Sequence, residues 1–121
     1  MAPLHAEEVE MTYQTIQLSI DARGVAMLTL ARADKHNALN TLMMSELSAV
    51  AGQINGNDAI RVVVLSGQGK SFCAGGDIQW MKDQRARPEA ERLAEGMKLA
   101  SLLQVLDDLE KPLIAKMHGN A

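Results

Sequence analysis

The chain has 121 residues, 47% of them hydrophobic and 22% charged, with a formal net charge of −3. That balance is ordinary for a globular protein of about one small domain. Aromatic residues make up only 2%, too few for base-stacking platforms, and an acidic chain lacks the basic footprint of a nucleic-acid binder.

A single cysteine, Cys73, excludes an internal disulfide framework and fits a reducing, cytoplasmic setting. The opening MAPLHAEEVE is acidic and lacks the apolar run of a secretory signal. No stretch approaches the roughly 18 consecutive apolar residues of a membrane helix, so no membrane partner is expected.

Residues 1–13 are expected to be a flexible leader, and residues 14–121 to form the domain. TIQLSID (15–21) alternates apolar Ile16, Leu18 and Ile20 with Gln17 and Ser19, the pattern of a half-buried strand. Arg23-Gly24 marks a turn, and VAMLTLA (25–31) reads as the hairpin partner. After a polar loop, Asn40 is placed to cap a helix over 41–54, with Leu42, Met43, Leu47, Val50 and Ile54 on its apolar side. Asn55-Gly56-Asn57-Asp58 ends that helix. IRVVVLSG (60–67) is a continuous, β-branched run, which predicts a parallel strand buried on both faces.

Asp77 stands where a short helix needs its N-cap. A longer helix is predicted over 88–109, presenting Leu93, Met97, Ala100, Leu103 and Leu106 at helical spacing. LIAKM (113–117) reads as a further short strand, a neighbour or near neighbour of IRVVVLSG. The order β-β-α-β-α-α-β implies a layered α/β domain. A strand and glycine turn with no covering helix after them lead us to expect a fold incomplete at its C-terminus.

Three catalytic signatures come close and fail. Gly69-Lys70-Ser71 lacks the upstream glycine of a phosphate loop, because position 64 is Val. Gly67-Gln68-Gly69 has Phe72 where a dinucleotide fingerprint needs its third glycine, and a nucleophile elbow on Ser71 meets Cys73 instead of glycine. Cys73, with no histidine at nearby spacing, reads as a small buried residue rather than a nucleophile. His5, His36 and His118 are too scattered for metal-ligand spacing, so no metal is expected. Ala74-Gly75-Gly76-Asp77 remains: either a tight turn, or a turn whose amide N–H groups are aimed at a ligand oxygen. Trp80 and Met81 fit either an apolar pocket or the core.

Three stretches in order carry a resemblance: ARADKHNAL (31–39), IRVVVLSGQGKSFCAGGDIQWMK (60–82) and KPLIAKMHG (111–119). They are similar to motifs of the enoyl-CoA hydratase/isomerase (crotonase) family, whose fold repeats ββα units, and the likeness extends over residues 14–121. The resemblance implies the N-terminal part of that α/β fold and an acyl-CoA thioester as substrate, with no permanently bound cofactor. It also implies that the backbone N–H of Gly76 is an oxyanion donor. Ala74, Asp77, Ile78 and Gln79 would contact the thioester and coenzyme A, Lys35 and Ala38 would meet its nucleotide end, and Trp80 and Met81 would flank the acyl group. The parent enzyme would be a homo-oligomeric hydratase of fatty acid metabolism, a trimer or hexamer. The alternatives are an isomerase or another reaction of the family, or a non-catalytic folding or subunit-interaction module.

Trp80-Met81-Lys82 is similar to hydratases for branched or glutaconyl-type acyl-CoAs. Ala31 and Ala33 stand where the family often has Asn and Pro, which implies a less rigid loop. The second oxyanion donor and the acid/base glutamates of hydratases are expected beyond residue 121.

Overall fold

The computed structural model describes residues 9–73 and 75–119. Of the expected leader, residues 1–8 lie outside the described residues, whereas Val9–Thr12 form strand β1, which the sequence pattern did not reveal. β1 pairs antiparallel with β2 (Ile16–Ile20), which forms the expected hairpin with β3 (Val25–Leu30). Helix α1 (Thr41–Asn55) crosses over to β4 (Val62–Gly67), which lies parallel to β3, with Ala26 opposite Val63 and Leu28 opposite Leu65. Helices α2 (Ile78–Arg85) and α3 (Glu89–Asp107) follow, and β5 (Leu113–Ala115) joins β4 in parallel. The five strands stand in chain order, β1-β2-β3-β4-β5. This is the anticipated α/β layering.

The alternation in β2 and β3 places Ile16, Leu18, Ile20, Ala26, Leu28 and Leu30 on one face. There they join Val63 of β4, Met43, Met44, Leu47, Val50 and Ile54 of α1, and Leu102 of α3 in one apolar cluster. Burial on this scale, at about 25 cal/mol per Å² of apolar surface, is the main favourable term in folding.

Three expectations about burial need correction. β4 is interior to the sheet, but of its residues only Val63 is fully buried; the rest are half-buried, because α1 and α3 cover one face. Leu42 is exposed, and Met44 and Ala51 take its place inside. On α3 the expected apolar face is mostly outside: Leu93, Met97, Ala100 and Leu103 are exposed, and of that set only Leu106 packs on the core. The inward stripe is Glu95, Leu99, Leu102 and Leu106, continued by Leu109 beyond the helix. That helix is apolar around much of its circumference, so spacing alone offers two stripes.

The loop between β3 and α1 is organised by Asn37, which is fully buried. Its side-chain oxygen accepts from the Arg32 N–H at 2.8 Å, and its amide donates to the carbonyls of Gln68 (2.8 Å) and Ser71 (2.9 Å). This stitches the loop to the segment after β4. Asn37 has φ 57°, a left-handed conformation that asparagine tolerates better than most residues.

Asn37→Ala should therefore cost roughly 3 kcal/mol, combining strained backbone with orphaned polar groups. Asn37→Gly should recover only the backbone part. Urea unfolding of both variants checks this, and a loss below about 1 kcal/mol for Asn37→Ala would contradict it.

Candidate functional site

Two adjacent glycines follow β4, and the structure gives them different reasons to be glycine. Gly75 has φ 94°, a left-handed conformation that a Cβ would strain. Gly76 is outside that region, and a Cβ built on it meets only ordinary contacts: Met81 Sδ at 3.7 Å and Trp80 Cε3 at 3.9 Å. The protein alone does not require glycine at 76.

Gly76 forms an isolated parallel bridge with Leu39. The Leu39 N–H donates to the Gly75 carbonyl, and the Asp77 N–H donates to the Leu39 carbonyl, both at 2.7 Å. In a parallel pairing the residue between those two bonds turns its own N–H and C=O to the opposite side. The Gly76 N–H accordingly points away from Leu39, and it has no backbone acceptor among the described residues outside the strand and helix ladders.

Beside it lies an open cleft of about 830 Å³. Of the residues singled out from sequence, Lys35, Ala38, Gly76, Asp77, Ile78, Gln79 and Trp80 line it. Met81 is not among the lining residues; it flanks Gly76 and is half-exposed. Ala74 lies outside the described residues. Cys73 is half-buried and packs on the core.

Asp77 caps α2 as expected, its Oδ1 accepting from the Trp80 N–H at 2.9 Å. Its second oxygen does something the sequence did not disclose: Arg32 donates to Oδ2 at 2.9 Å while its other terminal nitrogen donates to the Ala38 carbonyl. Asp77 is only 7% exposed. The Trp80 N–H and the Arg32 guanidinium hold its carboxyl below its ordinary value of 3.8, against the opposing pull of burial. An ionised carboxylate with both oxygens engaged is a poor general base.

Two more carboxylates, neither evident from sequence, are held by hydrogen bonds, Glu46 to the turn before β2 and Glu95 beside the cleft. Burial would raise Glu46, but hydrogen bonds from the Thr15 hydroxyl and from the Gln14 and Thr15 N–H groups outweigh it and lower its pKa. Glu95 is 6% exposed and accepts from Lys98, the Trp80 indole and the Thr41 hydroxyl. The signal for Glu95 is a lone acid at the head of an apolar helical stripe, which needs partners if it is inside. No group of three or more His, Cys, Asp or Glu suited to a metal occurs among the described residues. Nor is any helix of those residues long and apolar enough to cross a membrane.

A mixed sheet with helices packed on one face, and a glycine turn opening onto a cleft, defines the protein as a layered α/β domain. The family described as enoyl-CoA hydratase/isomerase matches residues 21–121. The chain is 33% identical to crotonyl-CoA hydratase of Syntrophomonas wolfei over 112 residues, 92% of this chain and 42% of that protein. Among solved structures, an enoyl-CoA hydratase from Shewanella pealeana superposes with a TM-score of 0.77 at 32% identity, covering 97% of this chain and 40% of the other. One from Mycobacterium smegmatis gives 0.78 at 33% identity, covering 88% and 41%. The chain belongs to the enoyl-CoA hydratase/isomerase (crotonase) family and spans about two fifths of the length of these relatives.

The Asp77 geometry generates a pH prediction. Its folded-state pKa is depressed, so its ionised form contributes stability above 3.8 that is lost as pH falls through the lower folded-state value. Asp77→Asn keeps the cap but loses the charge facing Arg32. It should cost about 1–3 kcal/mol at pH 7, with the gap to the unaltered chain narrowing below pH ~4. Urea midpoints across that range check this, and a gap independent of pH would contradict it.

Proposed function

We propose that this chain forms the acyl-CoA-binding cleft of an enoyl-CoA hydratase, with the Gly76 N–H as one oxyanion donor. The observation that carries the proposal is the bridge to Leu39, which occupies the bonds on either side of Gly76 and leaves its N–H turned away. A thioester carbonyl held there gains a hydrogen bond that strengthens as negative charge builds on oxygen in an enolate-like intermediate. Donors of this kind are worth ~10²–10³ in rate. Glycine at 76, not required by packing, leaves room for the thioester to approach the backbone. Lys35 at the cleft's rim supplies positive charge for the nucleotide end beside Ala38, while Ile78 and Gln79 contact coenzyme A and Trp80 borders the acyl group. With Asp77 committed to Trp80 and Arg32, carbonyl polarisation is the chemistry assigned to this turn. Soluble, cytoplasmic catalysis on free acyl-CoA accompanies this reading.

Calorimetry with coenzyme A and with crotonyl-CoA tests the assignment. Gly76→Ala should keep the unfolding midpoint of the unaltered chain and its affinity for coenzyme A, while weakening crotonyl-CoA about tenfold. Equal crotonyl-CoA affinity in the variant, or no binding by the unaltered chain, would overturn the proposal.

Homo-oligomer formation belongs to the same reading and is supported by Leu93, Met97 and Leu103, which are 64%, 60% and 57% exposed on α3. Apolar exposure on this scale favours association. Sedimentation should find the chain self-associated, and Met97→Glu with Leu103→Glu should shift it toward monomer. A chain that stays monomeric without the substitutions would contradict this.

A further inference from the structure

Glu95 is the most enclosed acid on α3, and two of its three hydrogen-bond partners border the cleft. Its Oε2 accepts from the Thr41 hydroxyl at 3.0 Å and from the Trp80 indole Nε1–H at 3.2 Å. Its Oε1 accepts from Lys98 Nζ at 2.9 Å. Thr41 opens α1 and Trp80 lies in the first turn of α2, and both line the cleft. One carboxylate on α3 therefore ties together the starts of α1 and α2, where backbone dipoles favour negative charge. It also fixes the indole ring whose Cε3 lies 3.9 Å from where a Cβ on Gly76 would stand.

Nothing about forming α3 requires this residue. An acid at the head of the stripe Leu99, Leu102 and Leu106 is costly to bury unless its oxygens are satisfied, and here two of the three partners border the cleft. An apolar side chain would pack the stripe equally well but would leave the indole N–H unpaired and the ring free to turn.

We propose that Glu95 is a positioning and specificity-determining residue, which sets how bulky an acyl group fits beside Gly76 by holding the Trp80 indole. The specificity half rests on the acyl-CoA function proposed above. The positioning half rests on the hydrogen bonds alone.

Trp80 is the single tryptophan of the chain, so its indole N–H gives one identifiable NMR signal. In Glu95→Ala that signal should move and exchange with solvent about tenfold faster, whereas Glu95→Gln, which keeps an acceptor oxygen, should stay close to the unaltered chain. Calorimetry then compares crotonyl-CoA with a branched five-carbon enoyl-CoA. Glu95→Ala should change the ratio of the two affinities about fivefold or more while leaving coenzyme A itself within about twofold, and Glu95→Gln should preserve the ratio. If Glu95→Ala does not fold, Glu95→Met, which keeps the bulk of the side chain but offers no acceptor oxygen, replaces it and should move the indole signal and change the ratio in the same way. An unmoved indole signal in Glu95→Ala, or in Glu95→Met where that variant replaces it, would overturn the positioning role. An unchanged affinity ratio in Glu95→Ala, or in Glu95→Met where that variant replaces it, would overturn the specificity role. Failure of the unaltered chain to bind either thioester would overturn the proposed function and the specificity role together, with the indole signal still deciding the positioning role.

Discussion

The Arg32–Asp77 ion pair is the contact on which the candidate site depends. Arg32 leaves the end of β3 and Asp77 opens α2, 45 residues later in the chain, yet the guanidinium reaches that carboxylate and the Ala38 carbonyl at once. It thereby clamps the first loop against the glycine turn. The adjacent bridge between Leu39 and Gly76 completes the clamp through backbone alone. Both charges are largely withdrawn from water, so breaking the pair leaves a poorly solvated partner, and that asymmetry makes the arrangement resistant to rearrangement.

From this clamp the division of labour in the turn follows. Gly75 supplies the left-handed backbone of the turn. Gly76 then lies flat against Leu39 with its N–H turned outward. Asp77 starts α2 immediately, bringing Trp80 round beside the turn. Asn37 acts one step further back, fastening the first loop to the segment after β4 so that the clamp has a fixed base. Side chains here position backbone, and on the proposed reading backbone does the chemistry.

Much of this was legible in the sequence because it is local. Period-two alternation identifies β2 and β3, a β-branched run identifies β4, and Asn40 and Asp77 announce the helices they cap. The glycine pair marked the turn, and its match to family motifs singled out seven of the residues that line the cleft. What stayed hidden depends on distant partners. Arg32 in ARADKHNAL looks like any solvated charge until Asp77 is placed beside it. Asn37 is one polar residue among several until the carbonyls of Gln68 and Ser71 arrive. β1 is too short and too polar to stand out from a leader. On α3 two apolar stripes compete, and the choice between them is made by packing against α1 and the core, not by the helix itself. Glu95 stays hidden for a related reason: a buried acid cannot be told from a surface one until its donors are in place.

The central claim, that the Gly76 N–H is presented unpaired to a thioester carbonyl, has a direct spectroscopic test. Crotonyl-CoA carrying ¹³C at the thioester carbonyl allows its stretching band to be isolated from the protein's own amide bands by infrared difference spectroscopy. A hydrogen bond from Gly76 withdraws electron density from the carbonyl and weakens the C=O bond. The band of the bound ligand should therefore lie at lower frequency than that of free crotonyl-CoA. A bound carbonyl with the frequency of the free thioester would contradict the account.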